Sequence, residues 1–257
     1  MENTLMSNIS NNNRTRQIMR LIAALFVMLL LSPTSACASD DFGMWGEVQA
    51  EKEFNDRWSM EAGVKFRSRD NLKAADRWSF GVAGNYQITP WLEATVGYAL
   101  LNDHYHKENT KGTIYSDYWS IRHRFNVSLT GSVSWSKFTF SLRERWQYSY
   151  RPEKTVQRYD TGTDAEVDEK VYSGKGKNVW RNRLQVKWKL NSLFRPYVNA
   201  ESFVAKELEK MRYNFGTELN LDKHNSLDIK YIYQHICKEG DDEPDRHVIG
   251  IGYTYKF

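Results

Sequence analysis

Cysteine, long apolar runs and an excess of either charge are all scarce in this chain, and each scarcity excludes a class of protein. The 257 residues include two cysteines, Cys37 and Cys237, which are too few for a framework of disulfides. Residues 21–31 form the longest apolar run, which is shorter than the roughly 20 apolar residues of a membrane-spanning helix. Lys and Arg number 36 against 32 Asp and Glu, so the charge balance gives no reason to expect a nucleic-acid partner.

Motifs that bind cofactors or metals are also missing. The sequence holds no glycine-rich phosphate loop, no zinc-finger spacing and no Gly-x-Ser-x-Gly nucleophile turn. We therefore expect no cofactor and no metal, and a role other than catalysis is favoured.

The N-terminus has the order of a secretory signal. Arginines precede the apolar run, and the small residues Ala36, Cys37 and Ala38 follow it. This order predicts a signal peptide over residues 1–38, cleaved after Ala38, and a single mature domain over residues 39–257. The alternative is a lipidated N-terminus at Cys37, although the residues before it match such a site only loosely.

Aromatic residues are abundant, at 14% of the chain, while the mean hydropathy is negative. Transmembrane β-barrels combine these two properties, because each strand alternates lipid-facing and lumen-facing residues and so averages to polar. The alternative is a secreted soluble β-sandwich, whose strands are shorter.

Apolar and polar residues alternate with a period of two from Phe42 to Phe257, segment after segment. The segments are about 10 to 13 residues long, which suits a tilted membrane crossing. About eleven segments follow the pattern, whereas bacterial single-chain barrels usually have an even number of strands. We expect an all-β, antiparallel up-and-down transmembrane barrel of about 10 to 12 strands. Either the first segment is misread or residues 151–178 hide part of a strand, so ten or twelve strands are favoured, with twelve slightly preferred.

Short and long connections alternate along the chain. Short turns are expected at 55–56, 89–90, 130–136, 191–195 and 222–225, and longer polar stretches at 70–76, 102–113, 151–178, 206–210 and 238–246. Short periplasmic turns that alternate with longer extracellular loops are typical of outer-membrane barrels. The pattern therefore predicts which end of the barrel faces outward.

Three polar residues, Asp117, His123 and Glu144, fall on the predicted lipid-facing side. A charged side chain on that side destabilises the barrel strongly at mid-membrane and only slightly near the rim. For Glu144 we expect that a β-bulge turns the side chain inward.

Most charges on the predicted lumen face are arginines. Arg-x-Arg pairs recur on successive strands, which predicts a basic belt. The predicted network comprises Arg67, Arg69, Arg122, Arg124, Arg143, Arg145, Arg181, Arg183 and Arg212, with the acids Glu61, Glu93, Glu201 and Glu218. One interpretation is that arginine–carboxylate pairs fill a plugged lumen. The other is a basic passage for a small anionic solute.

One short segment could carry catalysis at the extracellular rim. Asp103, His104 and His106 lie within four residues of one another and could activate a water molecule. A polar loop without chemistry is the alternative. For this segment to act as an enzyme centre, the three side chains must converge.

The C-terminus ends in alternating aromatics, Tyr253, Tyr255 and Phe257. A last strand that ends in Phe resembles the signal read by the barrel assembly machinery of the outer membrane. The resemblance implies that this machinery is a partner during biogenesis.

Seven short segments, in order and spacing, resemble an uncharacterised outer-membrane β-barrel family of Bacteroidetes-type bacteria, known as a domain of unknown function. They are residues 58–67, 142–145, 180–184, 196–203, 212–216, 227–233 and 247–257. The resemblance covers the predicted mature chain and implies a barrel with no established activity.

These observations predict a monomeric barrel in the outer membrane of a Gram-negative bacterium, in contact with outer-membrane lipid. The expected role is envelope structure or passage of a small anionic solute through a narrow or plugged lumen. Two alternatives stay open: an enzyme that acts on lipid or peptide at the extracellular rim, and an adhesion or binding barrel.

Overall fold

Thirteen β-strands form the regular structure of residues 41–238 and 244–257, the part of the chain that this computed structural model describes. The predicted signal peptide, with Ala36, Cys37 and Ala38, lies outside the described residues. The strands are β1 (Asp41–Glu53), β2 (Trp58–Arg69), β3 (Ala74–Thr89), β4 (Leu92–Glu108), β5 (Ile114–Trp135), β6 (Phe138–Arg151), β7 (Lys154–Asp160), β8 (Glu166–Tyr172), β9 (Lys175–Trp188), β10 (Phe194–Val204), β11 (Leu208–Asn220), β12 (Asn225–Ile236) and β13 (Arg246–Lys256). Within the described ranges, no helix is long and apolar enough to cross a membrane.

Eleven of these strands close into one barrel. Each pairs antiparallel with the next, β6 pairs with β9, and β13 returns to β1. The closing pair is parallel and runs from Asp41↔Arg246 to Glu51↔Lys256. An odd number of up-and-down strands requires this, because the first and last strands then run in the same direction. The eleven barrel strands confirm the predicted range of about 10 to 12, but not the preference for an even number.

Strands β7 and β8 form a hairpin that is not part of the closed wall. The hairpin lies within the stretch 151–178 and pairs with β5 at two positions, Ile114↔Asp160 and Tyr115↔Tyr159. The stretch does hide strands, as the sequence suggested. They extend the sheet beyond the barrel wall instead of crossing the membrane.

The two ends of the barrel differ in their connections. The turn end carries residues 54–57, 90–91, 136–137, 189–193 and 221–224, and the loop end carries residues 70–73, 109–113, 152–174, 205–207 and 237–245. Strands β4 and β5 extend farther than predicted at the loop end, since pairing continues to Glu108↔Tyr115. The first strand also begins at the loop end, where the backbone N–H of Asp41 donates to the carbonyl of Asp245 at 2.8 Å.

The outer wall of the barrel is apolar and the inside is polar. Val48, Val96 and Leu184 are 60%, 62% and 59% exposed, whereas Asp103 and Glu201 are 3% and 4% exposed. A soluble protein shows the reverse distribution. The predicted lipid-facing and lumen-facing sets therefore correspond to the two faces of the wall, as in transmembrane barrels.

Polar residues predicted on the lipid-facing side do lie on the outer face of the barrel. Glu144 is exposed, and the ladder through Leu129↔Glu144↔Asn182 shows no register shift. The bulge predicted to turn Glu144 inward was wrong. His123 shares a hydrogen bond of 2.8 Å between its Nδ1 and the hydroxyl of Tyr98, which satisfies its polarity at the lipid face.

Candidate functional site

The lumen is filled unevenly, because small and large residues occupy opposite parts of the wall. Strands β2 to β4 place small residues inside, and strands β6, β9 and β11 place arginines there. A cavity of 190 Å³ remains along the wall of small residues, lined among others by Gly63, Gly81, Ala83 and Ala99. Space for water or a solute therefore lies on the side of β2 to β4.

A second cavity, the loop-end chamber, lies toward the loops and has a volume of 480 Å³. Eleven of its lining side chains are basic and one, Glu209, is acidic. The basic residues are Arg67, Arg77, Lys107, Arg122, Arg124, Arg151, Lys175, Lys177, Arg181, Lys210 and Arg212. This chamber therefore carries a strong positive field.

The turn-end chamber, of 520 Å³, is more balanced. Ten basic side chains line it, but so do five acids: Glu47, Glu51, Glu201, Glu218 and Asp228. Most of its lysines are paired. Lys65 Nζ lies 2.5 Å from Glu47, Lys187 Nζ 2.6 Å from Glu218, and Lys230 Nζ 2.5 Å from Asp228.

Glu201 is the centre of the boundary between the chambers. Arg181 and Arg212 line both chambers. Glu201 accepts hydrogen bonds from Arg143 Nη2 at 2.5 Å and from Arg181 Nη2 at 3.0 Å, and Arg212 Nη1 lies 3.7 Å away. One buried carboxylate is thus shared by three guanidinium groups from β6, β9 and β11, and we call this group the Glu201 crossbar.

Two aromatic rings hold the crossbar arginines against the wall. The guanidinium carbons of Arg181 and Arg212 lie 4.5 and 4.7 Å from the ring centre of Phe203. The guanidinium carbon of Arg212 also lies 4.8 Å from the ring centre of Trp45, and the same ring holds Arg67, which is not part of the crossbar, at 3.9 Å. These distances are within the range of cation–π attraction, which orients an arginine without neutralising it.

Asp103 forms a second buried centre inside the lumen. It is paired with Arg77 and lies 2.5 Å from Arg122 Nη2. His104 lies on the opposite face of β4 and binds Asp117 instead, with 2.5 Å between Nε2 and Oδ1. Asp103 therefore does not join His104 and His106, because neighbouring strand residues point to opposite faces. The two histidines do come together on the outer face, where His106 Nδ1 lies 3.3 Å from the other carboxylate oxygen of Asp117.

Five arginines that line the lumen cavities form no ion pair with any carboxylate of the described residues: Arg67, Arg124, Arg145, Arg151 and Arg183. Arg124 donates a long hydrogen bond of 3.4 Å to Ser149. The Nε atoms of Arg145 and Arg183 are buried without an acceptor among the described atoms. These side chains retain charge and hydrogen-bonding capacity for a solute.

The structure places most of the predicted network around these cavities. Arg67, Arg122, Arg124, Arg143, Arg145, Arg181, Arg183, Arg212, Glu61, Glu201 and Glu218 all line at least one of them. Arg69 and Glu93 line none of the three. Arg69 follows the register shift at Arg67/Ser68 and lies 3.4 Å from Asp70 at the loop end, while Glu93 lies close to the turn end.

The sequence reading missed the cations at the loop-end mouth. Lys107, Arg151, Lys175 and Lys177 were assigned to loops or loop edges, because their segments are polar. The period of two does continue through them, since Lys175 and Lys177 fall on the same face as Arg181. Counting alternate positions along each strand could have identified these cations as inward-facing.

Outside the lumen, the loop end carries paired carboxylates. Partial burial alone would raise the pKa of the Asp245 carboxyl. Hydrogen bonds from Tyr233, His235 and the Ile236 N–H outweigh this effect and hold the pKa of Asp245 below its ordinary value. Within residues 41–238 and 244–257, no group of three or more His, Cys, Asp or Glu side chains could hold a metal ion.

The C-terminal aromatics lie at the turn end. Phe257 donates its N–H to the Glu51 carbonyl at 2.9 Å, and its ring contacts Tyr255 edge-on with 4.9 Å between centres. The assembly role of Tyr253, Tyr255 and Phe257 stays a prediction.

Comparison with solved structures identifies the fold. The translocator domain of the autotransporter NalP from Neisseria meningitidis is similar with a TM-score of 0.54 and 9% identity, over 76% of this chain and 74% of that chain. The β-domain of the Bordetella autotransporter BrkA is similar with a TM-score of 0.51 and 13% identity, over 78% of this chain and 83% of that chain. At these identities the likeness extends to the fold, which is that of an outer-membrane β-barrel.

Comparison with protein families gives the relationship by sequence. A search of curated proteins found no match. The model of the family described as "Protein of unknown function (DUF2490)" matches residues 42–244, which include every barrel strand before β13. The chain therefore belongs to the DUF2490 family.

Proposed function

We propose that this protein is an outer-membrane barrel whose basic lumen admits small anionic solutes. The observation that carries the proposal is the set of lumen arginines without a carboxylate partner: Arg67, Arg124, Arg145, Arg151 and Arg183. A lumen built for filling alone would match its buried charges, because an unpaired buried charge is costly. Anions from solution supply the missing charge.

Basic residues shared between neighbouring cavities support passage rather than binding at one end alone. The 190 Å³ cavity shares Arg67, Arg124 and Arg181 with the loop-end chamber, and Lys65 and Arg145 with the turn-end chamber. Arg181 belongs both to the Glu201 crossbar and to this route. The two interpretations of the arginine network therefore apply together: carboxylate-paired arginines narrow the lumen, and the unpaired Arg124 and Arg145 add free charge along the route.

The proposal includes the setting of the barrel. The short turns face the periplasm, the loops face outward, and the barrel is monomeric and surrounded by outer-membrane lipid. The alternation of short and long connections and the apolar outer wall support this orientation.

The test is the zero-current potential of the refolded barrel in a planar bilayer under a KCl gradient. We expect a potential of the sign that indicates chloride preference. Arg145→Gln and Arg183→Gln should each lower the preference, because each removes one unpaired charge from the route. Lys137→Gln, at an exposed position in the β5–β6 turn, removes the same charge outside the lumen and should leave the potential unchanged.

Two results would contradict the proposal. A folded barrel that shifts its gel migration on heating but never conducts would show a sealed lumen. A conducting barrel that prefers potassium would show that the unpaired arginines do not set the selectivity.

A further inference from the structure

The loop-end chamber holds more unmatched charge than the passage of single anions requires. Five of its lining cations form no ion pair with a carboxylate of the described residues: Arg67, Lys107, Arg124, Arg151 and Lys175. They come from five strands, β2, β4, β5, β6 and β9. Their charges therefore converge on one space from around the wall, where they repel one another unless a counter-charge is bound.

Three of these cations, Arg124, Arg151 and Lys175, lie at two levels along strands β5, β6 and β9. Arg151 and Lys175 are register partners on β6 and β9. Arg124 is the register partner of Ser149, which lies one inward-facing position below Arg151. Two residues of strand correspond to about 7 Å. A ligand with linked anionic groups can therefore reach both levels, whereas a single small anion reaches one.

Tyrosine rings hold Lys107 and Arg151 in place. Tyr105, Tyr118 and Tyr172 stack in a row with 5.4 and 5.3 Å between ring centres. Lys107 Nζ lies 4.4 Å from the Tyr172 ring centre, and the guanidinium carbon of Arg151 lies 5.5 Å from that of Tyr105. An aromatic face orients a cation but leaves its charge available, unlike a carboxylate.

We infer that the loop-end chamber binds a soluble ligand that carries two or more linked phosphate groups. Phosphate oxygens accept several charge-assisted hydrogen bonds each, which suits guanidinium and ammonium donors. The chamber volume of 480 Å³ has room for such a group. The inference rests on the proposed function for a lumen that solutes can enter, and it adds the class of solute and the place where it is held.

The experiment is calorimetric titration of the refolded full-length barrel in detergent, at constant ionic strength, with tripolyphosphate and with inorganic phosphate. We expect tripolyphosphate to bind at least about tenfold more tightly than phosphate. Arg124→Gln and Arg151→Gln, one at each level, should each weaken tripolyphosphate binding about tenfold or more. Lys137→Gln is the control for net charge, and heat-modifiable migration verifies that each variant is folded.

Equal affinities for the two probes, or equal weakening by Lys137→Gln, would overturn the inference. Bilayer measurements separate this failure from that of the proposed function. A chloride-selective barrel without a preference for tripolyphosphate refutes the binding site and leaves the passage intact. A silent barrel that binds tripolyphosphate at Arg124 and Arg151 refutes the passage and supports the site.

Discussion

The two chambers of the lumen have similar volumes and different charge balances. The turn-end chamber sets five acids against ten basic side chains, and the loop-end chamber sets one against eleven. In the first, lysine–carboxylate pairs account for much of the charge. In the second, aromatic rings hold cations that no described carboxylate neutralises. The difference indicates that paired charges build the barrel interior, whereas unpaired ones are available for a solute.

The largest expected effect is a loss of stability on removing the Glu201 carboxylate, which lies at the boundary between the chambers. Glu201→Gln leaves Arg143, Arg181 and Arg212 without their shared carboxylate, and loss of one partner from a buried pair costs about 3 to 5 kcal/mol. The free energy of unfolding in urea, measured in lipid vesicles, checks this.

The matched control is Glu218→Gln in the turn-end chamber. Glu218 pairs with Lys187, and both side chains are about a quarter to a third exposed. An exposed pair contributes about 1 kcal/mol or less. Similar losses for Glu201→Gln and Glu218→Gln would contradict the role of Glu201 as a buried crossbar.

The next effect sharpens the comparison between the two chambers. If the loop-end chamber holds phosphate groups, tripolyphosphate added from that side should block the current at a concentration about tenfold lower than from the turn side. Arg151→Gln should remove most of this asymmetry. The measurement is single-channel block in barrels of one orientation, and symmetric block in the wild-type protein would count against the difference between chambers.

Deletion of the β7–β8 hairpin gives a smaller effect. The hairpin pairs with the wall at two positions of β5 and supplies Tyr172 to the tyrosine row. Replacing residues 154–172 by a short turn should leave the barrel folded and weaken tripolyphosphate binding several-fold. Heat-modifiable migration and calorimetry check the two parts, and loss of folding would show that the hairpin is part of the wall.

The smallest effect is a pH dependence within the hairpin. Hydrogen bonds from Arg158 hold the pKa of Asp168 below its ordinary value of 3.8, and one of them measures 2.7 Å. Because the folded-state pKa is the lower one, the stabilisation is complete above about pH 4 and is lost as pH falls through the folded-state pKa. Pepsin should cut the hairpin of Asp168→Asn faster than the wild-type hairpin at about pH 4, and the ratio of the two rates should fall as the pH is lowered. A constant ratio of the two rates would contradict this.

The barrel itself could be predicted from sequence because its signal is local. Alternation over ten or more residues fixes which side chains face inward, and it placed Arg143, Arg145, Arg181 and Arg183 around the lumen. The same alternation did not predict where the strands end. Beyond the membrane the outward residues become polar, so residues 102–108 resembled a loop although they continue β4.

The strand count and the charge pairing could not be predicted, because both depend on contacts between distant strands. Closure between Asp41 and Arg246 joins the two ends of the domain. Glu201 meets Arg143 across β9 and Arg212 on the neighbouring β11. Alternation gives the face of a residue but not its height relative to other strands, so matched and unmatched arginines look alike in the sequence.

The central claim is that more unmatched positive charge lies at the loop end than at the turn end, where Arg145 and Arg183 are also unpaired. Crystals of the purified barrel in sodium bromide, with anomalous diffraction at the bromine edge, test it directly. The account predicts bromide in the loop-end chamber beside Arg124 and Arg151, and weaker or no density among the lysine–carboxylate pairs of the turn-end chamber. Equal density in both chambers, or bromide confined to the outer surface, would contradict it.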